Sequence, residues 1–288
     1  MQQLKLAISG AQILFVAFGA MVLVPLLTGL NPAMALLGAG LGTLLFHLVT
    51  KRKVPIFLGS SFAFIAPIIY SISEWGLPST MFGLFAAGLM YFVFAGLIQW
   101  RGLAAVHKLL PPVVIGPVIM VIGLSVAAVA SQMAMGKAGD TQALDYSHSL
   151  MLSGFTFAVT VAVTVFGSKM MKLVPILIGV AAGYLAALFS GMVDTSGIAA
   201  APWFAVPFFE TPKVNWHAAL FMLPVAIAPA IEHIGGVMAI GQVTGKDYAS
   251  DPGLHKTLAG DGLGVCVAGL IGGPPVTTYG EVTGAVMI

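Results

Sequence analysis

Two carboxylates interrupt an otherwise apolar chain. Glu232 sits in Leu223-Pro224-Val225-Ala226-Ile227-Ala228-Pro229-Ala230-Ile231-Glu232-His233-Ile234-Gly235-Gly236, and Glu281 in Gly272-Gly273-Pro274-Pro275-Val276-Thr277-Thr278-Tyr279-Gly280-Glu281-Val282-Thr283-Gly284. An ionised carboxylate accepts N–H hydrogen bonds, and a desolvated one picks up a proton more readily. A charge at membrane depth costs several kcal/mol, so an intramembrane acid marks a functional site by default; a helix-packing or interfacial carboxylate is the plainer alternative for each. His233 follows Glu232 and so points about 100° away around a helix. Glu232 and His233 are the proton-coupling candidates, with simple packing of His233 against a neighbouring helix as the competing reading. Asp261, between Gly260 and Gly262, is expected near the cytoplasmic start of the ninth helix, as a cap or a functional acid. Enzyme chemistry finds no footing: there is no His-Glu-x-x-His cluster and no Gly-x-Ser-x-Gly. The lone Cys266 excludes an internal disulfide and has no metal-ligand partner, so neither metal nor cofactor is expected.

The segments that carry these groups are poor helix. Pro274-Pro275 and Gly280 flank Thr277-Thr278-Tyr279, which favours extended chain. A second segment looks similar: Pro55-Ile56-Phe57-Leu58-Gly59-Ser60-Ser61-Phe62-Ala63-Phe64-Ile65-Ala66-Pro67. Unwound backbone at membrane depth is tolerated only where it lines a cavity or is buried in protein. Broken segments at matching positions of two repeats point to a transporter site. One segment belongs to the third apolar helix and the other opens the tenth, a separation of seven. That spacing suggests two seven-helix repeats, the second inverted because seven is odd. Residues 1–216 then form the first repeat and 217–288 the start of the second, helices 8–10.

The elements that must position these groups lie in a bilayer. The 288 residues are 59% apolar and 8% charged, against roughly 25% charged in a soluble domain. Stretches long enough to span, about 20 residues each, recur at 5–29, 33–50, 56–73, 79–100, 109–134, 149–167, 173–192, 217–243 and 257–273, with a tenth from Pro274. Barrel strands would be shorter and alternate in polarity. The fold class is therefore all-α and polytopic, with short strands in helices 3 and 10. The first stretch is too long for a signal peptide and reads as a retained helix. Of the twelve Lys and Arg, ten fall on one side: Lys5, Lys51, Arg52, Lys53, Arg101, Lys108, Lys169, Lys172, Lys246 and Lys256; Lys137 and Lys213 fall on the other. The positive-inside rule then makes the N-terminus cytoplasmic and segment 193–216 external. Scattered basic residues and a net charge of +2 offer nothing to a nucleic acid.

Among membrane functions, a channel would favour rings of charge or repeated filter motifs, and neither is visible. An anion transporter of similar seven-plus-seven helix count, or a non-transporting membrane binding protein, are the alternatives. Two acids and no buried Lys or Arg suit a neutral solute with N–H donors better than an anion.

The sequence resembles the nucleobase–ascorbate transporter family, in particular its bacterial uracil/xanthine permeases. The matches are Phe18-Gly19-Ala20-Met21-Val22-Leu23-Val24-Pro25, Asn31-Pro32-Ala33, Leu58-Gly59-Ser60-Ser61-Phe62-Ala63-Phe64, Glu232-His233-Ile234-Gly235, Asp251-Pro252-Gly253-Leu254-His255 and Thr277-Thr278-Tyr279-Gly280-Glu281. The resemblance implies a multi-pass protein of the bacterial inner membrane with fourteen helices in two inverted repeats, a core and a gate domain, and often a homodimer. Helices 11–14 would lie beyond Ile288. It implies strands in helices 3 and 10 that meet at the substrate: Phe62 stacks on a nucleobase, Glu232 and Glu281 accept its N–H groups, and Tyr279 and Gly280 offer backbone contacts. The implied activity is nucleobase import, uracil or a related oxo-pyrimidine with xanthine as the close alternative, by proton symport, with sodium as the other ion. Two positions depart from the family pattern: Val282 stands where Asn is usual, and Gly236 stands where uracil permeases carry a His one turn after the helix 8 acid.

Overall fold

The computed structural model describes residues 17–19, 21–102, 112–138, 141–142, 144–168, 171, 175–194, 196–197 and 209–279. Its backbone divides into two compact units, residues 1–123 with 208–288, and residues 124–207. The described residues include the helices α1 Pro32–Val49, α2 Ile65–Arg101, α3 Pro112–Ala134, α4 Tyr146–Phe166, α5 Pro175–Phe189, α6 Trp216–Val225, α7 Ile227–Thr244 and α8 Leu254–Leu270. Four short strands accompany them: β1 Leu58–Ser60, β2 Lys137–Ala138, β3 Thr141–Gln142 and β4 Val276–Thr278. Residues 17–19 and 21–28 are also helical. Among the described residues, four helical stretches are long and apolar enough to cross a membrane: Pro32–Val49, Phe62–Arg101, Tyr146–Phe166 and Trp216–Thr244.

Local chemistry sets where these helices begin and break. Asn31 caps α1 by accepting from the Ala33 N–H at 2.9 Å, with Pro32 in the first turn. Asn215 caps α6 through the amides of His217 and Ala218. The sequence places a break between stretches 56–73 and 79–100. The structure carries it as a kink in the long α2, where Gly76 adopts φ +76° two residues before Pro78; the left-handed conformation there favours glycine. The expected helix over 217–243 is likewise divided. α6 and α7 meet at Ala226, between Pro224 and Pro229, because neither ring can donate to the ladder.

The first unit is built around α8. Its glycines let neighbours approach to backbone contact. A methyl at Gly262 would lie 2.6 Å from Tyr91 Cβ of α2, and one at Gly42 of α1 would lie 3.1 Å from Gly264 Cα. Such small-residue seams replace a hydrophobic driving force in lipid. In the second unit, α5 packs on α4 through the same device, with Thr156 and Thr160 against Gly183 and Gly179.

β1 and β4, more than two hundred residues apart, pair antiparallel with Leu58 opposite Thr278, Gly59 opposite Thr277 and Ser60 opposite Val276. The ladder extends one step each way, by Ser61 N–H to the Pro275 carbonyl at 2.8 Å and Tyr279 N–H to the Phe57 carbonyl at 3.2 Å. All six strand residues are buried, as unwound backbone at membrane depth requires. Thr43 of α1 stands in for a third strand: its hydroxyl accepts from the Leu58 amide at 3.0 Å.

Candidate functional site

The paired strands split their side chains between two faces. Phe57, Gly59, Thr277 and Tyr279 share one; Leu58, Ser60, Val276 and Thr278 share the other. On the first face Tyr279 lies flat over Gly59, its ring edge-on to Phe57 at 6.3 Å between centroids. A Cβ at Gly59 would sit 2.5 Å from Tyr279 Cζ, so only glycine leaves room for the ring. The Tyr279 hydroxyl donates to the Ser60 carbonyl at 2.8 Å, which ties the two strands across their far ends. Tyr279 is 7% exposed. Phe62, two residues past β1, is half-buried at the start of a single 3-10 turn that leads into α2.

The second face meets helices. Leu58 and Val276 fill the space left by Gly264 of α8 and Gly42 of α1. Thr278 reaches α7, where a Cβ on Gly236 would lie 2.9 Å from its methyl. Its hydroxyl is 2.7 Å from His233 Nδ1. The same ring nitrogen is 3.1 Å from Asp261 Oδ2 of α8. His233 and Asp261 are both fully buried, and Phe46 of α1 packs edge-on to the imidazole. Glu232, the preceding residue of α7, is half-buried on another side of the helix. Tyr91 of α2 is fully buried, with its Cβ against Gly262 of α8.

Of the residues singled out from the sequence, the structure therefore brings β1 and β4 together, with Tyr279 on the crossing, Phe62 just beyond it and the Glu232–His233 pair on the adjacent helix. Gly280 and Glu281 lie outside the described residues. His233 has the buried polar surroundings that both of its sequence readings allowed. Asp261 is corrected. It is the eighth residue of α8, well inside the helix, because the helix starts at Leu254, immediately after Pro252-Gly253. It caps nothing and faces His233. Thr278 and Tyr91 were passed over by the sequence reading. A single acid in the run Thr257-Leu258-Ala259-Gly260-Asp261-Gly262-Leu263-Gly264-Val265 was the available signal for Asp261. Nothing local marked Thr278 or Tyr91, whose neighbours come from other elements.

Among the described residues every Lys and Arg is exposed, and no cluster of three His, Cys, Asp or Glu could hold a metal. The crossing thus offers backbone amides and carbonyls, aromatic rings and carboxylates, without a buried cation.

Comparison with known proteins agrees with this architecture. The model of the family described as "Permease family" matches residues 4–288. The chain is 54% identical over 284 residues to a probable uracil permease of Pasteurella multocida, covering 99% of this chain and 67% of that one. It is 48% identical over 284 residues to the uracil permease of Bacillus caldolyticus, covering 96% and 65%. The chain spans about two-thirds of the length of these relatives. Among solved structures, the transmembrane domain of the cyanobacterial bicarbonate transporter BicA superposes with a TM-score of 0.69 at 14% identity, covering 97% of this chain and 76% of that one. That likeness speaks to fold alone: a mostly helical, multi-pass transmembrane transporter domain. The chain belongs to the permease family, a family of transporters and not of enzymes.

Proposed function

We propose that this protein imports a nucleobase, uracil or a related oxo-pyrimidine with xanthine as the close alternative, as a secondary active symporter driven by protons. The observation that carries this reading is the buried β1–β4 crossing, with Tyr279 on it and the acid-bearing helix α7 beside it, in a chain about half identical to proteins named uracil permease. A planar neutral base has a π-face for Phe62 and N–H donors for Glu232 and Glu281; backbone groups at Tyr279 and Gly280 complete its edge. Proton coupling rests on Glu232 with His233 as relay, because a half-desolvated acid on a proline-broken helix can trade a proton as the cavity opens and closes. Sodium is the competing ion. Transport follows by alternating access, with the site carried between the two faces of the membrane. In this reading residues 1–216 are the first of two inverted seven-helix repeats and 217–288 open the second, the N-terminus is cytoplasmic, and the membrane is the bacterial inner membrane, with a homodimer as the working assembly.

The anion alternative draws on fold likeness only. The exposed position of every described Lys and Arg argues against it, because an anion held among carboxylates needs a compensating cation. The test is a competition uptake panel on the full-length protein in vesicles with an imposed pH gradient and no sodium. Uracil should compete at the lowest concentration and accumulation should vanish when the gradient is collapsed. Accumulation that ignores the proton gradient and needs sodium would reassign the ion; indifference to every nucleobase would reject the substrate.

A further inference from the structure

We infer that Asp261, His233 and Thr278 form a buried polar tie that fixes the position of β4 and so places the site residues that begin at Tyr279; Asp261 and Thr278 are positioning residues of the site. The inference rests on the nucleobase reading only for what β4 presents, not for the tie itself.

β4 is three residues long and has one partner strand. A ladder that short is at best marginal alone. It must be held from its other side, and the contacts there are specific. Val276 packs into the glycine seam of α1 and α8, and the Thr278 methyl lies on Gly236 of α7. The Thr278 hydroxyl is then directed at His233 Nδ1 at 2.7 Å. Asp261 lies 3.1 Å from the same nitrogen. Thr278 makes the hydrogen bond to this nitrogen, and the Asp261 carboxylate lies against it as an ion-pair contact outside hydrogen-bond alignment. One residue from each of α7, α8 and β4 therefore meets at one atom. Phe46 of α1 closes the apolar side of the imidazole.

Core filling alone does not account for this arrangement. Two ionisable groups at full burial are costly compared with apolar residues of similar volume, and apolar residues would fill the same space. A polar tie supplies direction as well as volume: it orients the imidazole and seats the strand in one register. Glu232 shares a helix with His233, so the tie also sets the spacing between that acid and the end of β4.

The experiment uses the full-length permease in detergent and reads two quantities. One is hydrogen–deuterium exchange of the strand amides over 276–279, and the other is equilibrium binding of uracil. Thr278→Val keeps shape and removes the hydroxyl, and Asp261→Asn keeps shape and removes the charge. One lost neutral hydrogen bond corresponds to about two- to twelvefold. Thr278→Val should speed exchange at the strand and weaken uracil binding by about that factor, Asp261→Asn by as much or more, and Thr278→Ser should restore both. Unchanged strand exchange in Thr278→Val and Asp261→Asn would overturn the tie. So would a uniform loss of protection that includes α1 and the far end of α8, since that pattern belongs to general core stability. Faster strand exchange in a protein whose wild type binds no uracil would uphold the tie and reject the nucleobase reading instead.

Discussion

Gly59→Ala is the sharpest probe of the strand crossing. The added Cβ would lie 2.5, 2.6 and 2.9 Å from three carbons of the Tyr279 ring. Ordinary contact begins near 3.4 Å, so the ring must retreat by about 0.9 Å (3.4 minus 2.5). It is not free to do so, because its hydroxyl is held at 2.8 Å by the Ser60 carbonyl and its edge rests on Phe57. Overpacking of this kind costs about 1–3 kcal/mol, and the lost hydrogen bond adds about 0.5–1.5 kcal/mol. Against these, Gly→Ala in a compatible backbone stabilises by about 0.4–1 kcal/mol. The sign therefore discriminates: a net loss of about 0.5–4 kcal/mol if the ring is where the structure puts it, a small gain if it is not. The assay is the apparent melting temperature of purified full-length protein, in a cycle with Tyr279→Ala. Gly59→Ala should lower the melting temperature when Tyr279 is present and raise it slightly when residue 279 is alanine. A cost that is the same in both backgrounds, or a gain in both, would refute the stacking argument.

Four further outcomes can each be measured. Glu281→Gln and Glu232→Gln should each weaken uracil binding about tenfold or more, since a hydrogen bond to a charged acceptor is worth about 1.5–3 kcal/mol; equilibrium binding checks this, and two variants that bind normally would remove both carboxylates from the site. A methyl at Gly88 would lie 2.5 Å from Cys266 Sγ and 2.7 Å from the Cys266 backbone nitrogen, so Gly88→Ala should lower the melting temperature markedly more than Gly96→Ala, which meets nothing within 4 Å. Lys53 pairs with Asp251 at 2.7 Å in an exposed setting, so Lys53→Ala should shift the melting temperature little and the shift should vanish in high salt. External thiol labelling should modify a cysteine placed at Ser196 and spare one at Arg52; the reverse pattern would invert the topology drawn from the positive charges.

What the sequence disclosed depended on whether the signal was local. The apolar runs at 33–50, 149–167 and 217–243, the break between stretches 56–73 and 79–100, and the extended character of Leu58–Ser60 and Val276–Thr278 are all written in neighbouring residues, and each appears in the structure. The division of the 217–243 stretch at Ala226 was foreshadowed by Pro224 and Pro229 but not placed, because proline kinks a helix without fixing where its ladder resumes. Asp261 lies about two turns inside its helix rather than at the start. Its depth depends on where α8 begins, which in turn depends on the irregular turn over Ala249–Gly253. The meeting of His233, Asp261 and Thr278 was illegible for a different reason. It joins residues 45 positions apart on α7 and β4 with a third on α8, and the glycines at Gly236, Gly262 and Gly264 that permit the approach carry no side chain to announce a partner. Register was equally hidden: only the pairing of Gly59 with Thr277 explains why Tyr279 covers a glycine.

The central claim, that the β1–β4 crossing belongs to a nucleobase site, is tested most directly by titrating the purified full-length protein with uracil and, separately, with bicarbonate, in parallel with its Glu232→Gln variant. The account predicts saturable uracil binding that falls about tenfold or more in the variant, the scale of one lost hydrogen bond to a charged acceptor, and no bicarbonate binding. Saturable bicarbonate binding without uracil binding, or uracil binding indifferent to Glu232, would contradict it.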